Sequence, residues 1–211
     1  MDYSQYKVLE FRRKFFKIFG AAITITDPET NTLVGYIRMK VWSLKGDIRV
    51  FTDESMQQEI VRIGGRQIIS LQKLYDIFDS QSGTKIGTIR QRSLKSLFVR
   101  DHMDLIDANG NEFGFVQETS GTLALIRRYI VVLPFVGPYL ELILLFVVQT
   151  FTVNAGTEGS NPQLVGNITH KKNPIVVKMT LDMRNALGKL DPRINIAVVS
   201  LLSVLDAAKN K

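Results

Sequence analysis

The chain has 211 residues, 45% of them hydrophobic, with 27 Lys and Arg against 20 Asp and Glu for a formal net charge of +7. That apolar content at this length suits a single domain, 1–211, with a substantial core, and excludes a disordered chain. The complete absence of cysteine excludes disulfides and thiolate metal sites, and fits either a reducing compartment or a lineage that avoids cysteine.

The first residues, Met1-Asp2-Tyr3-Ser4-Gln5-Tyr6, show no basic segment followed by an apolar run, so no secretory signal is expected. A basic cluster, Arg12-Arg13-Lys14-Lys17, precedes the first of four related units. Ile23 to Asp27 leads to Gly35-Tyr36-Ile37-Arg38, and Arg49 to Asp53 leads to Glu59-Ile60-Val61-Arg62 without the glycine. Tyr75 to Asp79 leads to Gly87-Thr88-Ile89-Arg90, and Met103 to Asp107 leads to Gly114-Phe115-Val116-Gln117. The aspartates stand at 27, 53, 79 and 107, spaced by 26, 26 and 28 residues. Each unit reads as a β-hairpin, two alternating strands around an Asp/Asn/Gly/Ser turn. Aspartate at the first turn position bonds the backbone ahead of it, and Asn or Gly accepts the positive φ that such turns require.

Gln117 to Asn154 then takes 37 residues where the corresponding Arg90 to Asp107 takes 17. The insertion, 122–150, is nearly pure hydrocarbon around Arg127-Arg128 and Pro134-Phe135-Val136-Gly137-Pro138. By hydropathy alone 130–148 passes for a transmembrane helix, but one crossing would part the last hairpin from the first four. Two crossings need about 40 apolar residues, which the insertion lacks. A hairpin or kinked helix that enters one leaflet and returns fits better, with Leu133, Phe135, Val136, Tyr139 and Leu140 in contact with the membrane. The alternatives are a cap on the fold, a dimer interface, or a strand over 144–153.

A fifth, degraded hairpin follows, Phe151 to Asn154 and Val165 to Thr169, and Asp191-Pro192 then opens a helix over 192–208. That helix is apolar nearly all round, the mark of a helix enclosed on every side, and its apolar run of about 12 residues is too short to span a bilayer. Hairpins in series, each with one buried face, avoid open edges by closing into a barrel, and a barrel this wide needs filling. The fold class expected is mainly β (α+β): a closed antiparallel β-barrel of about 12 strands around a buried C-terminal helix.

This series of hairpins, followed by Leu164-Val165-Gly166-Asn167-Ile168-Thr169-His170-Lys171-Lys172, Val176-Val177-Lys178-Met179 and an apolar helix ending Val204-Leu205-Asp206, resembles the tubby C-terminal-like superfamily. Within it the chain is most similar to LURP-one-related and phospholipid-scramblase-like proteins, over 6–208 apart from the insertion. The resemblance implies a closed barrel around a central helix and an association with phospholipid or phosphoinositide membranes.

Charge points the same way. Arg12, Arg13, Lys14, Arg38, Lys40, Arg90, Arg92, Arg127, Arg128, Lys171 and Lys172 are the candidate anion-binding residues, several of them at the end of a hairpin's second strand and hence at one rim. The plain alternative is that they solvate the outer wall. Nucleic acid is not expected, because Phe16, Phe19, Trp42, Phe51, Phe78 and Phe98 are spaced like core residues rather than a stacking platform.

Neither His102 nor His170 sits in a catalytic or metal motif; 107–112 reads as a turn rather than a calcium loop, and Gly64-Gly65 as a bend between hairpins. No cofactor, metal or small-molecule substrate is expected. The reading is a non-enzymatic, cytoplasmic protein bound peripherally to anionic phospholipid membrane. A scaffold or homo-oligomer joined through the insertion is the first alternative, and lipid scrambling the second.

Overall fold

The computed structural model describes residues 3–16, 20–39, 47–66, 73–92, 102–119, 148–171, 178–185 and 190–209. After a 3-10 turn at Tyr3–Gln5 come twelve strands: β1 (Val8–Phe16), β2 (Gly20–Asp27), β3 (Thr32–Met39), β4 (Asp47–Phe51), β5 (Glu59–Arg66), β6 (Lys73–Asp79), β7 (Lys85–Gln91), β8 (His102–Ile106), β9 (Glu112–Glu118), β10 (Val148–Ala155), β11 (Gln163–Lys171) and β12 (Lys178–Asp182). One helix, α1 (Pro192–Lys209), follows. Each strand pairs antiparallel with its neighbours in sequence, and β1 pairs with β12, so the barrel closes without an edge.

The repeating aspartates do the same work four times. Asp27 Oδ1 accepts from the Glu29 amide at 3.0 Å, Asp53 Oδ1 from Ser55 at 2.8 Å, Asp79 Oδ2 from Ser82 at 3.2 Å and Asp107 Oδ1 from Asn109 at 2.9 Å. Each turn holds one residue at positive φ: Asn31, Met56, Gly83 and Gly110. Met56 is the one without a small or Asx side chain to ease that backbone.

Just inside every turn the register slips by one residue, beside Thr26, Phe51, Phe78, Ile106 and Asn154. Such bulges bend and twist a strand, which is what closing a barrel requires. They also explain the recurring glycine. A Cβ on Gly114 would stand 2.6 Å from the Asn154 carbonyl oxygen of the following strand, and one on Gly87 or Gly166 would stand 3.1 Å from the carbonyl oxygen of Ile106 or Asp182. Only glycine lets the next backbone approach so closely.

Gly64 and Gly65 are not a bend: both lie within β5, paired with Asp76 and Tyr75 of β6. The strands continue past them because β6 supplies a partner for each, so the connection between hairpins comes later.

The expected helix is present, opened by Asp191, whose side chain accepts from the Arg193 amide at 2.9 Å. Every residue from Ile194 to Val204 is buried, and these side chains share one core with Leu9, Phe11, Ile25, Ile37, Ile63, Ile77, Ile89, Leu105, Ile168 and Leu181 of the strands. The helix therefore fills the barrel. Two of its polar residues donate to methionine sulfur, Asn195 to Met183 at 3.5 Å and Ser203 to Met179 at 3.2 Å. Phe51 and Phe78, read from sequence as core, are half-buried and stand outside that cluster.

Candidate functional site: a barrel with unlike ends

All five hairpin turns, the end of β12, the start of α1 and the N-terminal turn lie at one end of the barrel, called here the turn end. The opposite, connector end is formed by Phe16 and Gly20, Met39 and Asp47, Arg66 and Lys73, Gln91 and His102, Glu118 and Val148, and Lys171 and Lys178. Turn-end segments carry Asp27, Glu29, Asp53, Glu54, Asp79, Asp107, Glu158, Asp182 and Asp191 against Lys7, Arg184 and Arg193. The sequences linking the connector-end strands carry Lys17, Lys40, Lys45, Lys95, Arg100, Arg127, Arg128 and Lys172 against Asp101 and Glu141. In sequence, the segments at the two ends thus differ in the sign of their net charge, although the chain as a whole is cationic.

Toward the connector end, β11, β12, β1 and β3 present a basic wall. Lys171 stands opposite Lys178, Lys178 opposite Arg12, and Lys14 and Arg38 both opposite Ala22 of the intervening β2. Arg12, Lys14, Arg38 and Lys171 are exposed, and Lys178 is half-buried. Like charges facing each other across strands destabilise a sheet. Glu10 offsets this by pairing with both Arg12 and Lys178. Burial alone would raise the Glu10 carboxyl, but hydrogen bonds from Lys178 and Arg12 outweigh it and hold it below the usual range. Among the described residues, Lys14, Arg38 and Lys171 form no ion pair.

Other candidate cations are differently placed. Arg13 is inside the barrel, its side chain 4% exposed and its Nη1 3.6 Å from Asp206 Oδ2 of α1; His170 Nε2 reaches the same oxygen at 3.7 Å. It therefore does not belong to the rim. Burial pushes the Arg13 guanidinium down while the Asp206 carboxylate opposes that shift. The alternation of Leu9, Phe11 and Arg13 on one strand face was the sequence signal for this placement.

Arg90 and Arg92 lie on the outer wall but converge on Asp104, 1% exposed. Arg90 Nε is 2.7 Å from Asp104 Oδ2, Arg92 Nη2 2.7 Å from Oδ1, and His102 Nε2 2.9 Å from Oδ1. Arg90 also meets Glu112, and Arg92 Nη1 lies 3.0 Å from Glu158 in the β10–β11 loop. The His102 ring stacks on Phe115, centroids 5.4 Å apart. Burial would raise the Asp104 carboxyl; the hydrogen bonds from His102, Arg92 and Arg90 overcome it and hold the group far below the carboxylate range. These arginines already serve three carboxylates of their own chain. Sequence reasoning missed Asp104, although Asp76 and Thr24 occupy the same place in the repeat and are also buried polar residues on the outer wall.

Lys40, Arg127, Arg128, Lys172, Leu133, Phe135, Val136, Tyr139 and Leu140 lie outside the described residues. So does the insertion except for its last three positions, 148–150, which belong to β10. Among the described residues no group of three or more His, Asp and Glu side chains is placed to hold a metal, and no helix is long and apolar enough to cross a membrane.

No curated protein and no solved structure matches the chain. A family model does: residues 33–184, from the first hairpin through the end of β12, match LURP-one-related. With that match spanning ten of the barrel's strands, β3 to β12, the chain belongs to the LURP-one-related family.

Proposed function

We propose that this protein is a non-catalytic module that docks peripherally on anionic phospholipid at the cytoplasmic face of a membrane, connector end toward the bilayer. The observation that carries this reading is the wall of exposed cations, Lys14, Arg38 and Lys171 with Arg12 beside them, at the same end from which the apolar insertion leaves β9 and returns into β10. Cations near an anionic surface contribute about 1 kcal/mol each, so Lys14, Arg38 and Lys171 together supply about 3 kcal/mol, roughly a hundredfold in affinity. Burial of Leu, Ile, Val and Phe of the insertion adds about 25 cal/mol per Å² removed from water. The acidic turn end favours the same orientation, since it is repelled by the surface. Membership of the LURP-one-related family fits a lipid-related role.

The test is co-sedimentation with neutral and anionic vesicles at two salt concentrations, using the full chain and a form with 130–144 replaced by a short Gly/Ser loop. Binding of the full chain to anionic vesicles, weaker at high salt and lost in the folded loop-replaced form, is the expected result. If neither form binds and only the full chain self-associates, the insertion is a protein interface and the membrane reading fails.

A further inference from the structure

The turn end holds a recess of about 340 Å³ between the β4–β5 and β6–β7 turns and the start of α1, within the range of small-molecule sites of about 300–1,000 Å³. Besides Ile60 and Pro192, it is lined by buried Tyr3, by Gln58 and Gln81, and by Glu59, Asp79, Asp191 and Arg193.

Its positive groups are already matched. Arg193 Nη1 is 3.0 Å from Asp79 Oδ1 and Nη2 2.6 Å from Asp191 Oδ2. The start of α1 is satisfied by the Asp191 side chain, which takes the Arg193 amide. Glu59 accepts a hydrogen bond from Ser80 Oγ at 2.7 Å; its nearest cation, Arg49 Nη1, lies 3.6 Å away on a half-exposed side chain that is no part of the lining. Three carboxylates against one guanidinium leave the recess an excess of negative charge. It also opens at the turn end, whose described turns carry more carboxylates than cations, a balance that favours cations there. The lining carboxylates are not gathered as metal ligands. They are spread around a volume sized for an organic molecule, with amide and phenol oxygens as further acceptors.

From this we propose that the recess binds an organic cation, an ammonium or guanidinium, carried by a free small molecule or by a side chain of another protein. Glu59 is its main charge partner, and Gln58, Gln81 and Tyr3 supply the remaining acceptors. The site lies at the opposite end from the basic wall, so it stands or falls independently of membrane docking.

Calorimetric titration of the full chain with agmatine, with Nα-acetylarginine amide and with inorganic phosphate tests it. Saturable, salt-sensitive binding of agmatine is the expected result; agmatine alone marks a free ligand, and equal binding of the arginine amide marks a protein side chain. Glu59→Gln, which keeps the Ser80 hydrogen bond, weakens binding about fivefold, and Gln81→Glu at the exposed mouth strengthens it by a similar factor. The proposal is overturned if neither cation binds, if both folded variants bind like the parent chain, or if phosphate competes.

Discussion

Replacing Asp104 by Asn keeps the shape of the side chain and removes the charge on which Arg90, Arg92 and His102 converge. Removing one partner of a fully buried pair costs about 3–5 kcal/mol, because the other charge is left unpaired. Here the discount is large. The Arg90 and Arg92 side chains are 26% and 40% exposed, and they keep Glu112 and Glu158 as partners. The expected loss is therefore about 2 kcal/mol at neutral pH. For a chain of this size that lowers Tm by about 4–8 °C.

The pH dependence supplies an independent check. The folded-state pKa of Asp104 is depressed, so its contribution is fully present above the unfolded value of about 3.9 and is lost as pH falls through the folded value. The gap between parent and Asp104→Asn should thus persist down to about pH 4 and narrow below it. Urea unfolding across that range measures it, and a double-mutant cycle with Arg92→Gln isolates the coupling. A variant as stable as the parent at pH 7, or a gap that fails to narrow in acid, would refute the reasoning.

Gly114→Ala places a Cβ 2.6 Å from the Asn154 carbonyl oxygen, so the β9–β10 contact must open; a loss of about 1–3 kcal/mol in urea unfolding is expected, against little change for Gly64→Ala, whose nearest neighbour is the Phe78 ring at 3.7 Å. Tyr3 should ionise at about 12, because burial and the neighbouring Tyr6 charge raise its phenol while Arg193 opposes them. The sign of that shift keeps the Tyr3 contribution to stability full up to about pH 10 and loses it as pH rises toward 12, so Tyr3→Phe should reduce the alkaline loss, leaving the part due to buried Tyr75, in unfolding followed by circular dichroism. Lys14→Glu with Arg38→Glu should cut anionic-vesicle binding at least tenfold with Tm unchanged, whereas Arg90→Gln should lower Tm and leave vesicle binding intact. Equal effects of the two sets on binding would show that Arg90 faces the lipid after all.

Local chemistry made much of the barrel legible. Asp27, Asp53, Asp79 and Asp107 bond the backbone a few residues ahead, and alternation within each strand decides which side chains face inward. The all-round apolar 192–208 has no stable place except an enclosed one. The bulges and the close contacts that make Gly87 and Gly114 necessary are less visible, because the atom that excludes a side chain belongs to the next hairpin.

For the candidate site the division is sharper. Sequence alone supplied the cations, the repeat that brings several of them to one end, and the apolar insertion that shares it. Strand alternation already turns Arg13 inward; only the tertiary structure decided the rest, bringing Asp206 from the far end of the chain to meet it, placing Asp104 of the neighbouring strand β8 against Arg90 and Arg92, and leaving Lys14, Arg38 and Lys171 to solvent. The recess beside Glu59 is likewise assembled from Tyr3, two turns and the start of α1, segments far apart in the chain. A charge pair is governed by distances of a few ångströms in space, and closing the barrel sets those distances between residues that the sequence keeps far apart.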